Sequence, residues 1–408
     1  MNEPAPTECR QPLPRNVKVL SAVSLAQDAG SEMLYPFLPA FITGVLGAPV
    51  VAVGVAEGAA DLAAAGMKLV SGRKAPAGRR RPWIAAGYGL AAVGKAIVAV
   101  AFVWPVVLLG RVVDRVGKGI RGTPRDAMIA DAVPAADRGR AFGFHRAMDT
   151  LGAVIGPLLG LALYHLLDGR IRWVLLAALV PAVLSASLVS LVREHRREDA
   201  VDGPATAPAA AAAAPTAPPV RPPLPPVFRR AMIPLAAFAV VNSSDALLLQ
   251  RAHDLGVGLS WVVVAYILFN TLYAGLAYPA GTAGDRFGHR TVLAVGVAVF
   301  AVVYLGLGLS TSSTAVWVFM PLYGAYAALT DGVARAWVSQ LAGDTARSYA
   351  LGVHGALTGV GVLVAGLWAG LAWGPAGRLP LTVSGAVAAV VAVWLFLGRR
   401  STQTVQGD

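Results

Sequence analysis

The sequence predicts an all-α membrane protein made of two similar six-helix bundles, and three observations predict it. Hydrophobic residues make up 56% of the 408 and charged residues only 14%. A soluble globular protein carries roughly 25% charged residues, so this surface must face lipid. Twelve stretches come near the length of about 20 mostly apolar residues that crosses a bilayer. A pattern also returns after half a chain: Arg138, Ala141, Gly143, His145, Ala147 and Gly152 recur as Arg347, Ala350, Gly352, His354, Ala356 and Gly361, each pair 209 residues apart. An echo at that spacing suggests two halves of common design around a central cavity.

Residues 1–16 are polar, with no cleavable signal ahead of the first apolar segment, which is expected to remain as a helix. The N-terminal bundle, 17–192, holds spans at 17–42, 49–70, 83–103, 105–122, 141–166 and 171–192. A linker at 193–230 turns abruptly Ala/Pro-rich, without periodicity or aromatics, and reads as extended or disordered. The C-terminal bundle, 231–398, holds spans at 231–250, 257–278, 291–309, 314–334, 347–372 and 380–398, and 399–408 is a polar tail. Pro36, Pro105, Pro234 and Pro321 fall in or at the starts of spans, where neighbouring helices can satisfy the freed backbone groups. The 45 glycines suit close helix packing in lipid.

The formal charge of +12 invites a nucleic-acid reading, and its placement excludes one. Of the 34 Lys and Arg, 27 fall in alternate connections and the two tails; the intervening connections hold only Arg170, Arg172, Arg251 and Arg378. That alternation is the positive-inside pattern, which puts both termini in the cytoplasm; the protein is expected in the inner (plasma) membrane. No aromatic-interleaved basic face for nucleic acid is present. Cys9 is the single cysteine, so no intrachain disulfide or cysteine metal cluster can form. Gly117-Lys118-Gly119 lacks the spacing of a phosphate loop, so ATP is not expected to drive the protein directly. No enzyme chemistry, cofactor or metal site is expected, and the chain reads as a monomer whose partners are the bilayer, protons and a small molecule.

Three motifs carry a family resemblance. Gly281-Thr-Ala-Gly-Asp285-Arg286-Phe-Gly288-His-Arg290 follows the eighth span, in what reads as a tight turn with Asp285 free to cap a helix start and pair with an arginine. The fourth span carries Arg111-Val-Val-Asp114-Arg115-Val-Gly117-Lys-Gly119, and the fifth carries Gly152-Ala-Val-Ile-Gly156-Pro157-Leu-Leu-Gly160. Together with twelve spans in two halves, these resemble the major facilitator superfamily, the second motif with Arg115 where a glycine is usual. The resemblance implies a conformational latch at Gly281–Arg290 and, through the Gly-Pro motif, a drug:proton antiporter. In the first half the matching link, Gly72 to Arg81, keeps its basic cluster but has Pro76 where the acid belongs. Another acid, such as Asp114 or Asp126, replaces it, or Arg79–Arg81 serve topology alone.

The chemistry is expected in buried acids. Asp28 and Glu32 share one face of the first span, about 16 and 22 Å from its start, and Glu57 and Asp61 share a face of the second. Four carboxylates at mid-depth cannot all stay ionised in a low-dielectric site unless cations meet them. Lys95, Arg111 and Arg115, with Arg111 about 9 Å deep, are placed to neutralise some, with Asp114 able to pair across helices. That leaves Asp28 and Glu32 as the preferred proton carriers; the alternative is that fixed ion pairs satisfy all four. Asn242, Ser243, Ser244 and Asp245 form a mid-membrane polar patch in the seventh span, either substrate-facing or joining helices. Asp331, near the end of the tenth span, is the other charge inside a second half that reads as nearly uncharged within its spans. His145, Arg146 and Asp149 form either a gate network or an interfacial, snorkelling group, and lone His145 and His354 suggest no metal. The expected function is proton-driven efflux of a small molecule such as a drug or metal chelate. Proton-coupled uptake of a nutrient or siderophore-like compound, or a non-transporting membrane sensor or scaffold, are the alternatives.

Overall fold

The computed structural model describes residues 12–74, 79–134, 137–194 and 224–397. The linker from 195 to 223, the tail from 398, residues 1–11 with Cys9, and the 75–78 part of the first-half link with Pro76 lie outside the described residues. Every regular element among the described residues is helical. The first half comprises α1 (Arg15–Leu34), α2 (Val51–Lys74), α3 (Arg81–Ala99), α4 (Trp104–Asp131), α5 (Arg138–Leu166) and α6 (Ile171–Leu191). The second comprises α7 (Pro226–Ala239), α8 (Asp245–Asp254), α9 (Leu259–Phe287), α10 (His289–Leu309), α11 (Thr314–Leu371) and α12 (Arg378–Leu397).

The first span runs on past α1 through a tight turn at Tyr35–Phe37 and a widened one at Phe41–Val45. Pro36 and Pro39 have no N–H to give the preceding turns, so regular winding fails there. Seven stretches are by length and composition apolar enough to cross a membrane: Arg81–Ala99, Arg140–Leu166, Ile171–Leu191, Leu259–Phe287, His289–Leu309, Tyr349–Leu371 and Arg378–Leu397. The helices that fall short include α1, α2 and α4, which carry the interior acids and arginines. Their polarity is tolerated because it faces other helices rather than lipid.

Three features differ from the sequence expectation. The seventh span is broken: residues 240–244 leave the helix between α7 and α8. Short polar side chains compete there with the backbone ladder, and Ser244 Oγ accepts from the Ala246 amide as an N-cap at 3.4 Å. The tenth and eleventh spans form one element, α11, 58 residues long. Straight, it would measure about 87 Å. Instead the segments flanking its two ends return to one side chain: Arg251 donates from Nε to the Leu307 carbonyl at 3.0 Å, from Nη2 to that of Ser310 at 2.7 Å, and from Nη1 to that of Ala376. The element therefore folds back into two arms, one packing Gly324 on Phe269 and the other packing Gly366 on Gly54. Arg251 is the third difference. The alternation of basic residues places it in a connection, yet it is 1% exposed and ties together the ends of α10, α11 and α12.

The half-chain echo has a packing counterpart. Gly152 of α5 lies against Leu25 of α1, and its counterpart Gly361 in α11 lies against Ala239 of α7. In both halves the fifth span leans on the first through a glycine.

Replacing Arg251 with Met takes the donors from three backbone carbonyls, a loss on the order of 3 kcal/mol. The apparent melting temperature of the detergent-solubilised protein falls for Arg251→Met and stays unchanged for exposed Arg378→Gln.

Candidate functional site

The site begins with glycines. A Cβ on Gly94 of α3 would meet the Asp114 amide at 2.5 Å, and one on Gly117 of α4 would meet the Gly87 carbonyl at 2.4 Å. The backbones of α3 and α4 are therefore nearly in contact, which brings Lys95 to Asp114, Nζ to Oδ1 at 3.1 Å. One turn before Arg115, Arg111 turns toward α2 and holds Glu57 through two parallel bonds, Nε to Oε1 at 2.6 Å and Nη2 to Oε2 at 2.7 Å. Arg111 also reaches Asp114 at 3.4 Å, and Arg115 lies 3.7 Å from Glu57 and 3.8 Å from Asp61. Lys95, Arg111, Glu57 and Asp114 are all buried. Three cations thus close on three acids. The sequence expectation set Lys95 against the acids of the first two spans, but the helix contact gives it to Asp114. Glu57, expected among the proton carriers, is instead one half of a fixed ion pair.

Asp28 and Glu32 are placed differently. Among the described residues neither has a cation within 4.0 Å, while Glu32 accepts from the Tyr266 hydroxyl of α9 at 2.6 Å. The Gly-Pro face of α5 lies directly on their helix. Cβ atoms on Gly152, Gly156 and Gly160 would meet the carbonyls of Leu25, Ala29 and Met33 at 2.6, 2.5 and 2.9 Å, with Asp28 and Glu32 alongside. A small pocket of about 20 Å³, room for one water, is lined by both acids with Arg111, Arg115, Lys118 and Arg121. Through Arg115 and Lys118 it adjoins a cavity of about 510 Å³ between the bundles, on the side of the basic links.

At the opposite end the bundles meet. Tyr35 bonds Ser244 at 3.0 Å, Thr43 donates to Gln250 at 3.1 Å, and Gly54 abuts Gly366. In the break between α7 and α8, Asn242 lines the large cavity, Ser243 bonds Tyr304 at 3.2 Å, and Asp245 accepts from Tyr323 at 2.7 Å. The patch therefore joins helices and touches the cavity through Asn242. Asp331 lines the same cavity and accepts from Tyr273 at 3.1 Å. The tyrosine partners are not marked by any motif in the sequence; for Tyr266 and Tyr273 the one signal is their spacing with Phe269 along one face of α9.

A family model for the Major Facilitator Superfamily matches residues 20–258 and 244–408. The chain belongs to the Major Facilitator Superfamily. It is 28% identical over 368 residues to an uncharacterized MFS-type transporter of Methanocaldococcus jannaschii, covering 88% of this chain and 89% of that protein. It is 34% identical over 132 residues to the tetracenomycin C resistance and export protein of Streptomyces glaucescens, 31% of this chain and 24% of that one. A crystal structure of a nucleoside transporter superposes with a TM-score of 0.76 at 11% identity, covering 94% of this chain and 99% of that one. The protein is a membrane transporter of this superfamily and not an enzyme.

Two superfamily motifs sit otherwise than their sequence suggests. Gly281, Asp285 and Arg286 continue α9, and only Gly288 turns, at φ +87°. Asp285 caps no helix and pairs with no arginine among the described residues; it lies 3.4 Å from His289 Nε2. Arg286 stacks on Phe287, and Arg290 donates to the Leu395 carbonyl at 3.0 Å. In the first half neither Asp114 nor Asp126 replaces the missing acid, since Asp114 is held by Lys95 and Asp126 by Arg125 at 2.9 Å. Arg80 pairs with Asp131 instead. His145 is buried and 3.3 Å from Ser21 Oγ, which rules out an interfacial, snorkelling side chain.

Glu57→Gln takes from buried Arg111 its two-bond carboxylate partner and leaves it only Asp114 at 3.4 Å, a loss of up to about 3 kcal/mol, so its thermal stability in detergent falls well below that of Asp28→Asn. Gly156→Leu drives a side chain into the α1 backbone, and the yield of folded protein on size-exclusion chromatography drops accordingly.

Proposed function

We propose that this protein is a proton-driven secondary transporter that exports a small molecule from the cytoplasm across the inner membrane by alternating access. The observation that carries the reading is the contrast on neighbouring helices: Glu57 and Asp114 are locked to cations, whereas Asp28 and Glu32 face a water-sized pocket with no ion-pair partner among the described residues. An acid without a fixed partner, one water from a cavity, can take and release a proton as access changes sides. The basic links mark the cavity side as cytoplasmic, so the bundles are held apart inside and together outside. The glycine face of α5 carries any displacement of α1 directly, since backbone rests on backbone. Export is supported by the Gly-Pro motif and by the similarity to a resistance and export protein.

A second reading, proton-coupled uptake, is favoured by the cations that line the cavity: an anion bound beside Asp28 and Glu32 is accommodated best when those acids carry protons.

Asp28→Asn and Glu32→Gln are expected to fold normally and to abolish proton-coupled transport; unchanged transport in both variants discards the proton assignment. In inverted vesicles with an imposed pH gradient, accumulation of a screened drug or metal chelate supports export, and its gradient-driven loss supports uptake.

A further inference from the structure

We propose that the cavity is an anion site: it takes a substrate with a carboxylate or phosphate head and an apolar or aromatic body. The inference deepens the transporter reading and rests on it, but not on the direction of transport. Lys95, Arg111 and Arg115 are matched by Asp114, Glu57 and Asp61. Four more cations line the two adjoining spaces: Lys118 and Arg121 at the inner end, Lys68 and Arg335 in the larger cavity. No ion pair within 4.0 Å joins any of these four to an acid among the described residues. Against them stand Asp28, Glu32 and Asp331, two of which already accept from tyrosines. Four cations against three acids leave a positive surplus, which grows when Asp28 and Glu32 are protonated.

Arg121 gives the surplus a location. It is 4% exposed, its Nη1 has no hydrogen-bond partner among the described residues, and Tyr88 stacks on its guanidinium at 4.5 Å. A buried guanidinium donor left unbonded is costly, and one oxygen of a carboxylate or phosphate head, entering the small pocket in place of a water, satisfies it with a charge-assisted bond. Lys118, which borders both spaces, adds a second charge at the junction. Beyond it Leu235, Phe238, Leu293 and Tyr326 supply an apolar wall, and a volume of about 510 Å³ suits a small organic molecule.

The test is equilibrium binding to the purified protein in detergent, without a gradient, of four probes sharing one ring system: naphthoate, naphthyl phosphate, naphthamide and naphthylmethylammonium. The two anions are expected to bind at least about tenfold tighter than the amide, and Lys118→Gln and Arg121→Gln each to weaken them by roughly tenfold without changing amide binding. Equal or tighter binding of the amide or the cation, binding of none of the four, or full anion affinity in Lys118→Gln overturns the proposal. Lys118 is exposed and has no ion-pair partner among the described residues, so its variant keeps the test open should Arg121→Gln fail to fold. Anion binding that survives while Asp28→Asn and Glu32→Gln show unaltered proton-coupled transport sinks the proton reading alone; loss of coupling in those variants with no anion preference sinks this one alone.

Discussion

A guanidinium in the middle of a helical bundle must have its charge met, and the Arg111–Glu57 pair meets it. Two parallel bonds on one carboxylate recover part of the desolvation cost that either group alone could not bear. The pair fixes α4 against α2, and the Lys95–Asp114 pair fixes α4 against α3. Three helices of the first half are thereby held as one unit.

Glycine makes that unit possible and also links it to its surroundings. Charged pairs need short reach, and the α3–α4 contact gains it by omitting side chains at Gly87, Gly94 and Gly117. The same device recurs where α5 lies on α1 and where α2 lies on the second arm of α11. The first contact places a bare backbone beside Asp28 and Glu32; the second closes the end away from the cavity. The acids that have no ion pair among the described residues and the closed end thus belong to the first two spans of the chain, and polar contacts such as Glu32 to Tyr266 cross between the bundles.

The sequence by itself determined the class, the two-half plan and the positions of the interior charges, because lipid permits few spanning structures and penalises every unpaired charge. Composition and spacing sufficed for that. Which acid meets which cation was decided only by tertiary structure. Lys95 stands in sequence between Glu57 and Asp61 on the helix before it and Asp114 on the helix after it, and the choice follows from two glycine faces meeting. Arg251 reads in sequence as a loop residue, and becomes buried because three helix ends converge on it. The break at 240–244 and the folding back of α11 are likewise set by partners distant in sequence, which no local pattern records.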